Sequence, residues 1–345
     1  MRTFRTGLLI GLAIAVAVAA AAITYVRYDT RTLKRVVNRG QLLCGVNPGL
    51  PGFSAPDEKG DWSGFDVDFC RAIAAAIFND PTKVKFIPLD ASLRFTELRD
   101  RNIDVLSRNS TWSISRETEY GLHFAGVSYY DGQGFMTKKA RNIDTALALD
   151  GSKVCVQENT TTELNLADYF KSNNMKFEQL KFNKLEDLLK AYEDGKCDTV
   201  TSDVSQLYAQ RIKLSKPNDS VILADVISKE PLAPVVRHRD DQWLLIVKWT
   251  LFAMLNAEEL GITSKNIDEA MKSQKPEVQR FMGVEKNYGE ELGLPRDWAA
   301  RIVKLVGNYG EVYDRNVGDH SKLGIPRGLN QLWDAGGIQY APPIR

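Results

Sequence analysis

Apolar positions along the chain follow two different periods, and the two periods alternate. Short apolar runs at residues 41–46 and 84–87 are bounded by polar loops and are typical of buried strands. Between them, Phe65, Phe69 and Ile73 recur at the spacing of one helix face. A strand–helix–strand order predicts a parallel α/β sheet, in which ligands bind beyond the carboxyl ends of the strands.

The same alternation continues through the rest of the chain. A helix over 92–101 is predicted to begin at Ser92 as its N-cap. The other predicted elements are strands at 103–106, 134–137, 153–156 and 197–200, helices that begin near Thr160, Leu185 and Asp203, a connector over 226–236, and closing helices over 243–255 and 267–271. The strand at 134–137 is the candidate for a crossing between the two βα series.

The most informative stretch is residues 103–120. Its opening strand is followed by four polar residues at 108–111, and Ser113 or Ser115 is placed to cap the next helix. Arg116 then falls in the first turn, where a cation opposes the helix dipole. An arginine in that position, with hydroxyls and an amide beside it, suits a fork that grips a carboxylate in two hydrogen bonds. A solvated surface arginine is the plain alternative.

Two polar segments of the second half fall at the carboxyl ends of predicted strands. Thr160 and Glu163 match a capping box, and the amides of such a helix start form a ready anion site. Asp203 follows another strand at the same edge of the sheet. The alternatives are an ordinary helix cap for Thr160 and an N-cap carboxylate for Asp203.

Length and charge narrow the class of protein. A chain of 345 residues is long for one core and suits two lobes. The formal net charge is +1, so the chain has no general attraction for nucleic acid. With 26% charged and 43% hydrophobic residues, the body has the composition of a soluble globular protein.

The N-terminus has the layout of a secretory signal peptide. A short basic head at residues 1–6 precedes an uncharged apolar run at 8–23. Near the end of this run, positions 20–22 are small residues that suit a cleavage site. We assign residues 1–24 to this signal, with an uncleaved membrane anchor as the alternative. In either case the body of the protein leaves the cytoplasm.

Because the protein is expected to be exported, its four cysteines can form disulfides. An even number of cysteines in an exported chain favours disulfides, and none of them forms a C-x-x-C pair. Three pairings exist, and the order along the chain suggests Cys44–Cys70 and Cys155–Cys197, one bridge in each lobe. Four buried free thiols are the alternative.

Four segments occur in an order that resembles a known family. They are GFDVDFCRAIAAAI at 64–77, NIDVLSRNSTWSISR at 102–116, NTTTEL at 159–164 and GKCDTVTSD at 195–203. Over residues 35–285 the chain resembles the periplasmic amino-acid-binding proteins of ABC importers, and most of all the general L-amino-acid receptors. The resemblance implies a two-lobed type II periplasmic binding protein of the α/β class, with a ligand cleft between the lobes and crossover hinge strands. It places lobe 1 at 33–137 and 229–290, lobe 2 at 138–228, and a C-terminal extension at 291–345.

The resemblance also implies a role for individual residues. Arg116 would hold the α-carboxylate of the ligand, Asp203 would take its α-ammonium, and Arg94 would read a side-chain carboxylate. The remaining ligand-binding candidates are Asn109, Ser110 and Thr111 in the first lobe, Thr161 at a helix start in the second, and Phe53.

Two positions depart from the family pattern. Where histidine-type receptors have Gly-Thr-Thr, this chain has Asn159 before Thr160 and Thr161. Where they often stack an aromatic ring on the ligand, it has Leu50, with Phe53 three residues on. The first departure allows a different local turn, and the second argues against selectivity for cationic side chains.

An enzyme on the same fold, such as a small dehydratase, is the second hypothesis. An enzyme needs a positioned acid, base or nucleophile, whereas His123, His238 and His320 are expected to stand alone. The sequence has no G-x-S-x-G, H-E-x-x-H or phosphate-loop motif. We therefore expect a non-catalytic, monomeric receptor with no metal or cofactor, whose partners are an L-amino acid and the membrane permease of an ABC importer.

Overall fold

Two five-stranded sheets form the framework of residues 32–345, the part of the chain that the computed structural model describes. The first sheet contains Leu42–Val46 (β1), Val84–Pro88 (β4), Val105–Leu106 (β5), Leu122–Phe124 (β6) and Val235–Arg237 (β14), in the order β4-β1-β5-β14-β6. The second contains Gln133–Lys138 (β8), Ser152–Gln157 (β9), Phe177–Phe182 (β10), Thr199–Asp203 (β11) and Ser220–Ile222 (β12), in the order β10-β9-β11-β8-β12. The predicted signal peptide or anchor at 1–24 lies outside the described residues.

Two short antiparallel ribbons complete the strands. They are Ala55–Pro56 (β2) with Trp62–Ser63 (β3), and Tyr129–Asp131 (β7) with Glu230–Leu232 (β13). The helices are Thr32–Arg39 (α1), Phe65–Phe78 (α2), Arg94–Arg99 (α3), Ile114–Tyr120 (α4), Thr161–Ser172 (α5), Leu185–Glu193 (α6), Val204–Arg211 (α7), Asp241–Glu259 (α8), Ile267–Ala270 (α9), Pro276–Phe281 (α10), Tyr288–Leu292 (α11), Trp298–Leu305 (α12) and Tyr309–Asn316 (α13). Across residues 32–345, none of these helices has both the length and the apolar character to span a bilayer.

Each sheet combines parallel pairs with one antiparallel insertion. Strand β1 pairs in parallel with β4 and β5, and β9 pairs in parallel with β10 and β11, as the alternating sequence pattern predicts. Strands β14 and β8 run antiparallel to their neighbours, because each enters its sheet from a crossing segment. The carboxyl ends of the parallel strands therefore gather at one edge of each sheet, where polar loops meet.

The two lobes are joined by the β7–β13 ribbon. The chain leaves the first sheet through β7 and returns through β13, and the two strands pair antiparallel from Tyr129↔Leu232 to Asp131↔Glu230. By its hydrogen bonds β8 belongs to the second sheet, although the family resemblance implied that lobe 1 extends to residue 137. The predicted connector at 226–236 contains β13 and the start of β14.

A disulfide fastens a helix or loop to the central strands of each lobe. Cys44 on β1 is bonded to Cys70 on α2, and Cys155 on β9 is bonded to Cys197 just before β11. Both predicted pairings are confirmed. Each bridge closes a loop of moderate length, a constraint typically worth about 2–4 kcal/mol of stability.

Two of the three helix caps predicted near the cleft are present in the structure. Ser113 caps α4 by accepting a hydrogen bond from the Arg116 backbone at 3.5 Å. Thr160 caps α5 through Glu163 N at 3.3 Å, while the Glu163 carboxylate reaches back to Asn159 N rather than to the cap residue. The predicted Ser92 cap is wrong, because Leu93 N bonds to Asp90 O in a turn and α3 begins only at Arg94.

The C-terminal extension packs on the first lobe. Helix α12 lies against α2, and Arg315 and Asn316 of α13 both bond to the buried Asp68 on α2. Farther along, Arg327 pairs with Glu258 and lies over the rings of Tyr309 and Tyr313. Charged and aromatic contacts therefore hold the extension to the core of this lobe.

The extension also grips the hinge, through a group that we call the hinge clasp: Asn330, Tyr309 and Tyr313. Asn330 accepts a hydrogen bond from Tyr130 N at 2.7 Å and donates one to Tyr130 O at 3.0 Å. The Tyr309 hydroxyl donates to Ser128 O at 2.9 Å, and the Tyr313 ring stacks on Tyr129 with centroids 5.9 Å apart. Strand β13 covers one edge of β7, and the clasp satisfies the other.

We predict that Asn330→Ala will lower the free energy of unfolding by about 1–3 kcal/mol, since two backbone groups of Tyr130 lose their partners. Urea unfolding of the purified protein measures this. Asn173→Ala is the matched control, because the Asn173 side chain is exposed and bonds only within its own helix end, to Tyr169 O. Equal stability losses in the two variants would contradict the role of the clasp.

Candidate functional site

A small cavity, with about 290 Å³ of space when the adjoining solvent is included, lies between the two lobes at the carboxyl ends of their parallel strands. Residues from both lobes line it: Arg94, Arg108, Asn109, Thr111 and Arg116 from the first, and Gln157, Thr160, Thr161, Thr162, Ser202, Asp203 and Gln206 from the second. We call it the inner cavity. Its lining is wholly polar or charged, which suits a small polar ligand held by directed hydrogen bonds.

Six of the eight predicted ligand-binding residues meet in the inner cavity: Arg94, Asn109, Thr111, Arg116, Thr161 and Asp203. The other two lie outside its lining. The Ser110 side chain is fully buried and donates to Arg108 O at 2.7 Å. Phe53 packs edge-on against Phe65 and Tyr129 in the core.

Arg116 is held in place from three sides. The Ser113 cap fixes its backbone, its Nη1 donates to Thr111 O at 2.7 Å, and its guanidinium lies over the Phe95 ring at 5.2 Å. Burial lowers the pKa of Arg116, and the carboxylates of Glu230 and Asp203 act in the opposite direction. The side chain is 8% exposed, so its charge is presented to the cavity with little water around it.

Arg94 also lies over the Phe95 ring, 4.8 Å from its centroid. It is only 3% exposed, and its Nε has no hydrogen-bond partner. Burial lowers its pKa well below the usual value, and the neighbouring cations Arg116 and Arg108 lower it further. A buried guanidinium with an unpaired donor is costly, so an anion in the cavity would be strongly favoured.

Arg108 is a third buried cation, which sequence reasoning placed in the polar run without giving it a role. Its Nε donates to Leu89 O at 2.9 Å. Burial lowers its pKa to about 10, while the carboxylates of Asp66 and Asp90 act to raise it. Buried arginine cannot be identified from one sequence, since most arginines are exposed.

Asp203 occupies the N-cap position of α7, but its side chain makes no capping bond. The carboxylate of Asp131 lies there instead, and accepts from Gly132 N at 2.9 Å and Ser205 N at 3.3 Å. Burial raises the pKa of Asp203 well above its usual value, and the charges of Asp131 and Glu230 raise it further. The Asp203 carboxyl is therefore left for the cavity, where a cation would favour its ionised form.

Glu230 on β13 links the two lobes. Its Oε2 accepts from Thr111 at 2.5 Å and from Thr161 at 2.8 Å, one residue from each side of the cleft. Its Oε1 accepts from Asn165 and Ser228, both at 2.7 Å. Sequence reasoning missed Glu230, because it falls within a predicted connector and no motif marks it.

Direct contacts across the cleft show that the lobes are closed on each other. The hydroxyls of Thr111 and Thr161 are 3.3 Å apart. Asn109 donates to Gln206 Oε1 at 2.9 Å and accepts from Asn47 at 3.2 Å. A ligand held in the inner cavity would therefore touch both lobes.

Asn159 stands where the family pattern has a glycine, and its backbone takes a conformation that glycine favours. Its φ is 61°, in the left-handed region that Asn tolerates better than most residues other than Gly. The turn places Thr160 and Thr161 at the start of α5, facing the first lobe. This departure leaves the anion-binding helix start intact.

The histidines lie away from the inner cavity. His123 and His238 do not stand alone as expected, because their rings meet with centroids 4.0 Å apart on neighbouring strand ends. Among residues 32–345, no group of three or more His, Cys, Asp or Glu side chains is placed to hold a metal ion.

Comparison with known proteins gives a family and close relatives. The family model for bacterial extracellular solute-binding proteins, family 3, matches residues 42–266. The general L-amino acid-binding periplasmic protein of Rhizobium johnstonii is 53% identical over 336 residues, which is 97% of this chain and 98% of that protein. The glutamate/glutamine/aspartate/asparagine-binding protein of Rhodobacter capsulatus is 48% identical over 95% of this chain and 97% of its own length.

A solved structure agrees with these relatives. The periplasmic binding protein of an ABC transporter from Brucella ovis, with glutathione bound, superposes with a TM-score of 0.90 and 52% identity, over 92% of this chain and all of its own. The chain thus belongs to the family 3 bacterial extracellular solute-binding proteins, with the two-lobed fold of periplasmic binding proteins.

Proposed function

We propose that this protein captures L-amino acids outside the cytoplasm and delivers them to the permease of an ABC importer. The observation that carries the proposal is the pairing of Arg116 and Asp203 in one closed cavity between two lobes. A simple anion site has no use for a carboxylate, whereas a zwitterion needs one group of each sign. The names of the close relatives describe amino-acid-binding proteins of the same length and family.

The α-carboxylate of the ligand is assigned to Arg116 and Thr161. Arg116 offers its guanidinium from the first lobe, and Thr161 stands at the N-terminus of α5, whose backbone amides favour an anion. The α-ammonium is assigned to Asp203, and Asn109 and Thr111 supply the remaining polar contacts. Both ends of the zwitterion thereby touch the two lobes, so the ligand stabilises the closed form.

Selectivity is assigned to Arg94. The lining of the inner cavity presents three arginines and one carboxylate, so the side-chain oxygens of a ligand would find donors there. A ligand with a carboxylate or amide side chain would supply the partner that the Arg94 Nε lacks. We therefore expect Glu, Asp, Gln and Asn to bind better than Ala or Leu.

The remaining features of the proposal concern the whole chain. Residues 1–24 act as the export signal, with an uncleaved anchor as the alternative, and the protein works as a monomer in the periplasm. Lobe 1 comprises residues 33–137 and 229–290, lobe 2 residues 138–228, and the extension 291–345, with β8 hydrogen-bonded into the sheet of lobe 2. The relatives are named as binding proteins, so the enzyme hypothesis gains no support.

We predict that Arg116→Lys will weaken binding of every amino acid by about 1.5–3 kcal/mol, because lysine cannot reproduce the two-pronged grip. Calorimetry with the twenty amino acids measures this. Arg99→Lys is the control, since Arg99 is half exposed at the end of α3 and is not among the residues that line the cavity. If Arg116→Lys binds all twenty amino acids as tightly as the wild type does, Arg116 does not hold the α-carboxylate.

We predict that binding will release protons and weaken as the pH falls. Burial raises the pKa of Asp203, and a ligand ammonium beside it would lower that pKa again, so the ligand favours the ionised carboxylate. Affinity is therefore full above the raised pKa and is lost as the pH falls through it. Calorimetry in buffers of different ionisation enthalpy gives the proton count. Asp203→Asn should bind weakly and without this release, and a pH-independent wild type would contradict the prediction.

We predict that Arg94→Ala will weaken the binding of glutamate and aspartate by roughly tenfold or more, as expected for the loss of a charged hydrogen bond. The binding of alanine or leucine should change much less. Calorimetry measures the affinities, and small-angle scattering should show compaction with each ligand in the wild type and with Ala in the variant. Arg99→Ala on the same helix is the matched control. If Arg94→Ala weakens all ligands equally, Arg94 does not read the side chain.

A further inference from the structure

A second cavity of about 580 Å³ adjoins the inner cavity and is likewise formed by both lobes. We call it the outer cavity. Asn47, Gly49 and Asp90 line it from the first lobe, and Lys184 and Lys213 line it from the second. Lys213 Nζ bonds to Gly49 O at 3.2 Å, so the same closure that forms the inner cavity also forms this one.

Amide side chains link the linings of the two cavities. Asn109 and Gln206 line the inner cavity, and Asn47 lines the outer one. They form one chain of hydrogen bonds, 3.2 Å from Asn47 to Asn109 and 2.9 Å from Asn109 to Gln206. We call this chain the amide partition.

The chemistry of the partition suits a peptide. Each primary amide both donates and accepts hydrogen bonds, as does a peptide unit. A peptide that passed between Asn109 and Gln206 would therefore replace their bond with two of the same kind and leave no buried group unpaired. A plain alkyl chain in that place would leave both amides without partners.

The outer cavity carries charges of both signs. Lys184 and Lys213 bring ammonium groups, and Asp90 and Glu186 bring carboxylates. An ammonium group has three donors, and the bond to Gly49 uses one of those on Lys213. A bare anion would gain little among such mixed charges, whereas a peptide end with amides and one carboxylate matches them.

We propose that the outer cavity is a subsite for γ-glutamyl peptides. The amino-acid end of the ligand occupies the inner cavity, its γ-linked peptide passes the amide partition, and its terminal carboxylate lies between Lys184 and Lys213. This rests on the proposed amino-acid site of the inner cavity and extends the ligand class from free amino acids to glutamate with a peptide on its side chain.

The test compares glutamate with S-methylglutathione, whose blocked thiol cannot exchange with the two disulfides of the protein. Calorimetry is run on the wild type, on the double variant Lys184→Glu/Lys213→Glu, and on Lys216→Glu as the control, an exposed lysine of the same lobe. We expect the wild type to bind both ligands. We expect the affinity of the double variant to fall roughly tenfold for S-methylglutathione and less than twofold for glutamate, because two exposed ion pairs with the peptide carboxylate become repulsions. The glycine ethyl ester of S-methylglutathione should bind the wild type and the double variant alike.

Other outcomes separate the two proposals. Binding of glutamate without S-methylglutathione overturns the subsite and leaves the amino-acid site standing. Equal losses for both ligands in the double variant also overturn it, because the lysines would then act on closure and not on the peptide end. Failure of every amino acid and of S-methylglutathione to bind the wild type refutes the proposed function itself.

Discussion

The closed form of this protein depends on one buried carboxylate, Glu230, which accepts four side-chain hydrogen bonds. Two of the donors, Thr111 and Thr161, belong to opposite lobes. Glu230 lies on the hinge strand β13, and its other two donors are Asn165 and the nearby Ser228. Hydrogen bonds to a charged group are stronger than neutral ones, and the bonds from Thr111 and Thr161 join both lobes to one carboxylate.

The C-terminal extension holds one strand of the hinge in place. Strand β7 would be a bare edge strand if it paired only with β13, and exposed strand edges invite wrong pairing. The Asn330 amide imitates a neighbouring strand by donating to and accepting from Tyr130. The extension therefore ties one hinge strand to lobe 1 and leaves the pivot to residues beyond Asp131, where the chain enters the second sheet.

The sequence predicted the elements whose signal is local. The strands around Cys44 and Cys155, the helix that begins at Phe65, both disulfides and the Ser113 cap follow from apolar period, cysteine order and cap chemistry. The Ser92 cap was wrong because a turn from Asp90 to Leu93 delays the helix, and one sequence does not distinguish two such starts. Short strands such as β7 and β13 escaped notice because three residues carry no period.

The binding site was predictable only where a family motif marks it. Arg116, Thr161 and Asp203 lie in ordered motifs and meet in the inner cavity, whereas Glu230 and Gln206 lie in stretches that look like ordinary surface. Phe53 was named because it is aromatic and near the loop, but its ring is needed in the core beside Tyr129. A residue whose role depends on a partner far along the chain leaves no local pattern to find.

The balance of charge in the closed cleft favours a ligand that carries both signs. Arg94 is buried there with an unpaired Nε, and burial and neighbouring carboxylates raise the pKa of Asp203, so its proton is retained more readily. Both features oppose closure, while the Glu230 bonds and the Asn109–Gln206 contact favour it. A zwitterion with an acidic side chain reverses both penalties at once, because it brings an ammonium to Asp203 and an anion to Arg94. Any zwitterion that touched both lobes would stabilise the closed form relative to the open one, and an acidic side chain would add to that difference, which is what shifts the hinge.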